Sequence, residues 1–136
     1  MKHYKILFAG ILFLCNNITS QVPAIQWQKS LGGTKDDVAY STCNTKDGGY
    51  MVVGFADSED GNVTHHIGFY DVWLLKLDGL GNLIWNKCYG GTYTDEGRSI
   101  TQTFDGGFIF TGLTDSEDGD VTGIHGSLKE DRKSVV

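Results

Sequence analysis

Short runs of alternating apolar and polar residues recur along this chain and are separated by glycine and aspartate. An alternation with a period of two is typical of β-strands, because successive side chains point to opposite faces of the sheet. We therefore predict strands at Ile25–Ser30, Val38–Thr45, Tyr50–Phe55 and Asp71–Leu77. The third run is the most apolar, so we expect it to be buried on both faces. The pattern after the first twenty residues has no helical period.

Turn signals separate these predicted strands. Asp47-Gly48 lies between the second and third runs and predicts a two-residue hairpin of type I′, in which both central residues have positive φ. A long loop is expected from Asp57 to Tyr70. Gly54 lies inside the third run, where a glycine indicates a bulge or a close backbone approach. Asp78–Asn82 then turns the chain directly into the next run.

The whole pattern occurs twice. Thr45–Gly61 and Thr103–Gly119 share the framework T-x-D-G-G…G…D-S-E-D-G, and the two units open with W-x-K-x-x-G-G-T at Trp27 and Trp85. Sliding the chain by about 58 positions gives about 20 identities over about 42 aligned residues without a gap. Tandem units of four antiparallel strands, each leading straight into the next, are typical of β-propeller blades. We expect an all-β fold with one complete and one truncated blade, preceded by a signal peptide.

The first twenty residues are organised like an export signal. A basic start is followed by the apolar core Ile6–Leu14 and by a small residue, Ser20, at the expected cleavage site. The apolar run is about half the length that a membrane-spanning helix needs, so no span is expected after cleavage. An uncleaved anchor is the alternative, and lipidation of Cys15 is disfavoured because Leu14 is not small. The protein is predicted to be secreted or displayed at the cell surface.

These boundaries divide the chain into a signal peptide at 1–20, a first repeat at 21–82, a truncated second repeat at 83–126 and a tail at 127–136. The tail lacks the aromatic strand that should follow Gly126. Its last residues, DRKSVV, match what a common sequencing adapter encodes in one reading frame. We therefore expect the tail to be non-native or disordered, and the chain to be a fragment of a longer protein.

Composition excludes several classes of protein. With 40% hydrophobic residues, 19 glycines and 1 proline, the chain is too apolar to be disordered and too rich in glycine to be helical. Its net charge is −6, and an acidic surface repels phosphate backbones, so no nucleic-acid partner is expected. After signal cleavage Cys43 and Cys88 remain. They occupy different positions in the repeat, which favours free thiols, while a disulfide stays the alternative for an exported chain.

The combined pattern resembles the secreted blade repeats of Bacteroidota. The resemblance covers residues 25–126 and is carried by W-x-K-x-x-G-G from Trp27, T-x-D-G-G from Thr45, D-x-W-L-x-K-L-D from Asp71 and the second copies of the first two. In that family such units run in tandem ahead of a C-terminal type IX secretion sorting domain. The resemblance implies a propeller-like fold, neighbouring blades in the full-length chain and export across the outer membrane, but no reaction. Related chains labelled endoglucanase point to carbohydrate.

Two looser resemblances imply structural roles. The stretch from Leu77 through Gly81 to Trp85 is similar to the tryptophan-docking motif of quinoprotein propellers, in which the tryptophan lies between neighbouring blades. We expect Trp27 and Trp85 to pack in that way, without a quinone cofactor. The T-x-D-x-G stretch from Thr45 is similar to the front half of the Asp-box of sialidase propellers, a hairpin element that is remote from catalysis.

The acidic loop of each unit concentrates oxygen ligands. Calcium takes about six to eight oxygens, often from acidic residues in a glycine-bent loop, so calcium is the metal to consider. The spacing departs from that of an EF-hand, and a solvated acidic turn is the favoured interpretation. Zinc is a weaker hypothesis, because the adjacent His65 and His66 point apart on an extended chain and only His125 could join them. The calcium candidates are Asp57, Glu59, Asp60, Asp115, Glu117 and Asp118.

The sequence contains no recognisable catalytic set. The acidic residues recur in both units, whereas an active site usually occurs once, and a glycosidase needs a dedicated pair of carboxylates. The motifs G-x-S-x-G and HExxH and the phosphate-binding loop are absent from the sequence. Asp37 and Asp95 are expected to accept backbone hydrogen bonds at a turn, and aromatic residues such as Trp73 to pack in the core. The predicted function is a non-catalytic scaffold that binds a protein or a glycan. The alternative is an accessory region of a carbohydrate-active enzyme.

Overall fold

The computed structural model describes residues 22–122 and a short strand at 133–135. The predicted signal peptide and most of the predicted tail lie outside these residues. The strands are β1 (Asp37–Asn44), β2 (Tyr50–Ala56), β3 (Asp71–Leu77), β4 (Leu83–Tyr89), β5 (Asp95–Gln102), β6 (Phe108–Thr114) and β7 (Lys133–Val135). The described residues contain no helix that is long and apolar enough to cross a membrane.

The strands form two antiparallel sheets, β1-β2-β3-β4 and β5-β6-β7. Within each sheet, strands that follow one another along the chain pair with one another. Short turns join β1 to β2, β3 to β4 and β5 to β6, as is possible only for antiparallel neighbours, whereas a long loop joins β2 to β3. β5 and β6 repeat β1 and β2, and β7 pairs with β6 on the side that β3 takes beside β2. Part of the predicted tail thus contributes a strand. The prediction of an all-β chain built from antiparallel sheets is confirmed.

The first predicted strand, Ile25–Ser30, is not a strand in the structure. Its counterpart in the second unit is β4, which pairs with β3 of the first unit. The described residues offer no corresponding strand ahead of Ile25–Ser30, and an extended segment without a partner leaves its backbone groups unpaired. The four-stranded sheet therefore spans residues 37–89, so the sheets run one strand later than the sequence repeat at 21–82.

The hairpin between β1 and β2 is wider than predicted. Of Asp47 and Gly48 only Gly48 has positive φ, at 81°, so the predicted type I′ turn is wrong. Thr45 N donates to Gly49 O at 2.9 Å and Gly48 N donates to Thr45 O at 2.9 Å, which gives a four-residue turn that ends in a left-handed glycine. The Asp47 side chain favours this form because its Oδ1 accepts from Gly49 N at 3.2 Å.

The glycines inside β2 and β6 have the predicted role. The register of the first strand in each unit shifts beside Gly54 and beside Gly112. A Cβ at Gly54 would collide with the carbonyl of Val38, and one at Gly112 with the carbonyl of Glu96. Glycine thus permits the close backbone approach at which each sheet bends.

β3 is buried along its whole length, because both faces of the first sheet are covered. β2, the run predicted to be buried on both faces, is buried over most of its length. One face of the sheet packs against the second sheet through Met51, Val53, Val72, Leu74 and Ile100, with Phe108 and Phe110 beside them. The other face is covered by the N-terminal segment and the long loop, through Ala56, Val63, Trp73, Leu75 and Leu77 with Trp27 and Leu31.

Cys43 and Cys88 are free, half-buried thiols. They lie on β1 and β4, the two outer strands of the four-stranded sheet. Neighbouring strands are about 4.8 Å apart, which places these two strands farther apart than the roughly 7 Å between Cα atoms that a disulfide spans. Burial raises the pKa of Cys88 to about 12, and the charges of Asp71 and Asp37 add to this effect. The favoured sequence interpretation, free thiols, agrees with the structure.

Candidate functional site

The two acidic loops lie at one end of the sheets, beside the Gly-Gly-Thr turns. In antiparallel sheets the first residues of β1, β3 and β5 share an end with the last residues of β2 and β6. The chain therefore brings Asp37 next to Ser58 and Asp95 next to Ser116. We call this region the aspartate end, and it comprises Asp37, Asp71, Asp95 and the acidic loops at 57–61 and 115–119.

Asp95 fastens three segments of the second unit together. Its Oδ2 accepts hydrogen bonds from Gly91 N at 2.9 Å and from Ser116 Oγ at 2.7 Å. Its Oδ1 accepts from the hydroxyl of Thr114. Ser116 Oγ in turn accepts from Tyr93 N at 3.0 Å. One buried carboxylate thus connects the Gly-Gly-Thr turn, the end of β6 and the acidic loop.

Asp37 makes corresponding contacts in the first unit. Its Oδ2 accepts from Gly33 N at 2.8 Å and from Ser58 Oγ at 2.7 Å, and its Oδ1 accepts from Ser58 N at 3.2 Å. Lys35 N donates to Ser58 Oγ at 2.9 Å. Asp37 therefore accepts a backbone hydrogen bond at the turn, as expected from the sequence. The role of Ser58 was not predicted, although its recurrence in D-S-E-D-G was the available signal.

Two of the calcium candidates hold the loops to the turns. Thr34 N donates to Asp60 Oδ1 at 2.8 Å, and Thr92 N donates to Asp118 Oδ1 at 2.7 Å. The Thr92 hydroxyl also donates to Asp118, and it is the main reason that the pKa of Asp118 is lowered. These carboxylates thus accept hydrogen bonds from donors of their own unit.

The remaining calcium candidates lie around the same loops. Lys35 Nζ lies 3.1 Å from Glu59 Oε1 and 3.9 Å from Asp57 Oδ1, and the contact with Glu59 raises the pKa of Lys35. Glu117 is exposed, and Asp115 N donates to the backbone of Thr94 at 2.8 Å. No three Asp, Glu, His or Cys side chains in the described part of the chain form a group that could hold a metal ion. Calcium binding stays a prediction.

Of the two histidines in the long loop, His66 contacts the backbone of the same loop. His66 Nε2 lies 3.0 Å from the carbonyl oxygen of Phe69. His65 has a φ of 61°, in the left-handed region. His125, the third residue of the zinc hypothesis, lies outside the described residues.

Asp71 is a buried carboxylate that the sequence pattern did not single out. From the described residues its side chain accepts one hydrogen bond, from Ile67 N to Oδ2 at 2.6 Å, and its Oδ1 has no hydrogen-bond partner among them. Burial raises the pKa of Asp71 to about 6; the hydrogen bond from Ile67 and the charge of His66 oppose this shift, and the charges of Asp95 and Asp120 add to it. The available signal was an acidic residue at the start of an otherwise apolar strand.

The opposite end of the first sheet contains a buried lysine. Lys76 Nζ donates to Thr45 Oγ1 at 2.5 Å and to Asp47 Oδ1 at 2.7 Å. Lys76 and then Thr45 are the main reasons that the pKa of Asp47 is lowered to about 2. This ion pair joins the third strand to the β1–β2 hairpin, so its role is to stabilise the sheet.

The tryptophans differ in their surroundings. The ring of Trp27 meets that of Tyr50 edge-on, with centroids 5.5 Å apart, and lies against Gly81 in the turn that leads into the second unit. Trp73 is a core residue, as expected, and its indole N–H donates to Asn86 Oδ1 at 3.1 Å. Trp85, the counterpart of Trp27, is partly exposed.

Comparison with known proteins adds no assignment: no protein-family model matches the chain, and no curated protein matches it. The functional interpretation therefore depends on the residues themselves. Their geometry shows repeated acids that accept hydrogen bonds from the turns and loops of their own unit.

Proposed function

We propose that this chain is a non-catalytic repeat scaffold of a secreted or cell-surface bacterial protein, and that it binds a protein or a glycan. The observation that carries the proposal is a set of hydrogen bonds at the aspartate end that occurs in both units, and we call this set the clamp. In both units the acidic loop is held to the Gly-Gly-Thr turn by an aspartate–serine pair and by a second aspartate. A carboxylate that serves the same structural role in each copy is a scaffold residue.

A difference in burial between equivalent positions also supports the proposal. Met51 is 0% exposed beneath the second sheet, whereas its counterpart Ile109 is 41% exposed. The face that the second sheet covers in the first unit is thus exposed at Ile109 in the second unit. A further unit of the same kind would cover it, as in other tandem repeats. We therefore include neighbouring blades, and export with a type IX sorting domain, in the proposal; the latter rests on the resemblance of the repeat pattern.

Exposed aromatic side chains at the aspartate end would supply the binding contacts. Phe69 lies in the long loop, and Tyr93 lies in the second Gly-Gly-Thr turn. Gly68 lies against the backbone of Gly91 and Thr92, which brings these two segments together. Aromatic rings provide large apolar contact areas to proteins and to sugars. The same rings favour the second candidate function, an accessory region of a carbohydrate-active enzyme.

The test is to measure glucan hydrolysis and ligand retention with the complete exported protein. We expect no release of reducing sugar, together with retention on a glycan array or on an immobilised surface protein. Replacing both Phe69 and Tyr93 by alanine should reduce retention at least about tenfold, the effect of losing roughly 1.4 kcal/mol of binding free energy. Phe104→Ala is the matched control, because Phe104 is an exposed aromatic residue at the opposite end of the second sheet. Hydrolysis of a glucan would contradict the scaffold proposal and favour the enzyme.

A further inference from the structure

Two buried carboxylates meet at the junction between the two sheets. Asp71 begins β3 of the first sheet and Asp95 begins β5 of the second, and each side chain is 1% exposed. The segments are joined by a hydrogen bond from Asp95 N to Tyr70 O at 2.7 Å. A Cβ at Gly90 would lie closer than 3.0 Å to both Asp71 Oδ1 and Asp95 Oδ2. The two oxygens therefore approach the same small space beside one glycine.

The two carboxylates differ in their hydrogen-bond donors. Asp95 accepts from the backbone of Gly91 and from the hydroxyls of Thr114 and Ser116. Within the described part of the chain, Asp71 accepts only at Oδ2, and its buried Oδ1 has no partner. Two ionised carboxylates in a buried site repel each other, and a proton on one of them removes that repulsion. Oδ1 of Asp71 is the position for the proton, because it is the oxygen that lacks a donor.

We propose that Asp71 and Asp95 are an acid pair that takes up one proton from solvent and thereby fastens the two sheets together in mildly acidic surroundings. In the protonated form, the O–H at Asp71 Oδ1 donates to Asp95 Oδ2. When the proton returns to solvent, two negative charges face each other across the junction. The strength of the contact between the two sheets thus depends on pH. This effect does not depend on the ligand of the proposed scaffold.

A proton suits this space better than a metal ion. The space beside Gly90 is too small for a methyl group, and Asp71 Oδ1 is closed off from solvent. Within residues 22–122 these two acids belong to no metal-binding group of three. Divalent cations prefer about six or more oxygen ligands, whereas one proton satisfies the single unpaired oxygen.

Burial sets the direction in which the pKa of Asp71 shifts, and the hydrogen bond from Ile67 and the titratable groups around Asp71 modify that shift. His66 on the preceding loop favours the ionised form, whereas Asp120 on the loop after β6 and Asp95 favour the protonated form. Cys88 on β4 also faces Asp71, and its raised pKa keeps it neutral around pH 6. Burial adds to the effect of the acids and raises the pKa of Asp71 to about 6, from an ordinary value of 3.8.

The sign of the pH dependence follows from this shift. The folded chain binds the proton more tightly than the unfolded chain, because the folded pKa is the higher one. The stabilisation is therefore fully present below about pH 4 and is lost as the pH rises through about 6. The difference between a pKa of about 6 and the ordinary value of 3.8 corresponds to a change of about a hundredfold in the folding equilibrium constant.

The first experiment compares the unfolding of the wild-type chain, Asp71→Asn and Glu117→Gln in denaturant at several pH values between about 4 and 8. The asparagine keeps an oxygen for Ile67 N and offers Asp95 an N–H donor that does not titrate. As the pH rises, we expect the folding equilibrium constant of the wild type to fall by up to about a hundredfold relative to that of Asp71→Asn. Glu117→Gln, which removes an exposed carboxylate, should parallel the wild type. Parallel curves for wild type and Asp71→Asn would overturn the proposal.

A second experiment keeps the proposal testable if Asp71→Asn does not fold. The carboxyl carbon of Asp71 in the wild-type chain is followed by NMR as a function of pH. We expect a midpoint near 6, and a midpoint near 4 would overturn the acid pair. The titration is then repeated with calcium chloride. An unchanged midpoint is expected, whereas a midpoint that falls as calcium is added would show a metal site instead.

Discussion

The two T-x-D-G-G hairpins have the same local hydrogen bonds but different support from the rest of the chain. Gly49 N donates to Asp47 Oδ1 at 3.2 Å, and Gly107 N donates to Asp105 Oδ1 at 3.1 Å. In the first hairpin Lys76 of β3 also reaches the aspartate. In the second unit the third strand, β7, pairs with Gly112–Thr114, at the end of β6 away from the hairpin, and Asp105 accepts from Thr103 and Gly107 of its own hairpin. The five residues of the motif suffice to shape the hairpin, whereas the ion pair of its aspartate requires a lysine on the third strand.

The sheets show the same contrast on a larger scale. Equivalent strands form in both units because their patterns of apolar residues and glycines are alike. Their burial differs, because the first sheet lies between the N-terminal segment and the second sheet. Residues that are identical or similar in the repeat can therefore differ widely in their contribution to stability.

The largest difference between the units is expected in the core. Met51→Ala should lower the free energy of unfolding by about 2–4 kcal/mol, because it empties a fully buried site. Ile109→Ala, at the equivalent exposed site, should cost less than about 1 kcal/mol. Urea denaturation of both variants measures the difference. Equal losses would mean that the outer face of the second sheet is covered after all.

The serine clamps should respond alike in the two units. Ser58 and Ser116 are fully buried, and each donates to an aspartate and accepts a backbone N–H. Replacing either serine by alanine should cost about 1–2 kcal/mol, because a buried donor and acceptor lose their partner. Matching losses in denaturant unfolding would confirm that the clamp is a property of the repeat. A neutral substitution in one unit would restrict the clamp to the other.

The contact with Lys76 of β3 should make the carboxyl group of Asp47 titrate differently from that of Asp105. The pKa of Asp47 is lowered to about 2, so the ion pair stabilises the fold above the ordinary value of 3.8 and is lost as the pH falls towards 2. In Lys76→Met the pKa of Asp47 should rise, because its main cause of lowering is removed. Carboxyl NMR titration measures both aspartates. Asp105 serves as the internal control and should keep its midpoint.

The smallest effect is expected from calcium. Asp60 and Asp118 each accept a hydrogen bond from a threonine N–H, so the loops are held without a cation. Adding calcium or a chelator should therefore move the melting temperature by less than about 1 °C, well below the several degrees that 1 kcal/mol produces in a domain of this size. A rise of several degrees that disappears in Asp118→Asn would instead establish a calcium site.

The strands and loops were predictable where the signal is local. The apolar run Asp71–Leu77 and the polar stretch from Asp57 to Tyr70 match β3 and the loop before it, because both are fixed by their own residues. Ile25–Ser30 alternates as a strand does but has no partner strand among the described residues, and a period along the sequence does not reveal whether a partner is present. The hairpin type was wrong because the Asp47 side chain favours a wider turn.

The candidate site was predictable only in part for the same reason. The expectation that Asp37 and Asp95 accept hydrogen bonds at a turn follows from their place after Gly-Gly. Asp71 meets Asp95 through the packing of two sheets, and no feature within one strand indicates such an encounter. Burial and unpaired oxygens are properties of the assembled sheets, so they appear only in three dimensions.

The offset between the sheets and the sequence repeat has a mechanical consequence. The tryptophan-led strand of the second unit, β4, completes the sheet of the first unit by pairing along β3. A force that pulls one unit away from the next must therefore break the backbone hydrogen bonds between β3 and β4, in addition to separating one apolar face from another. For the same reason, a recombinant first unit should be cut after residue 89 instead of residue 82, so that its sheet keeps the strand that closes it.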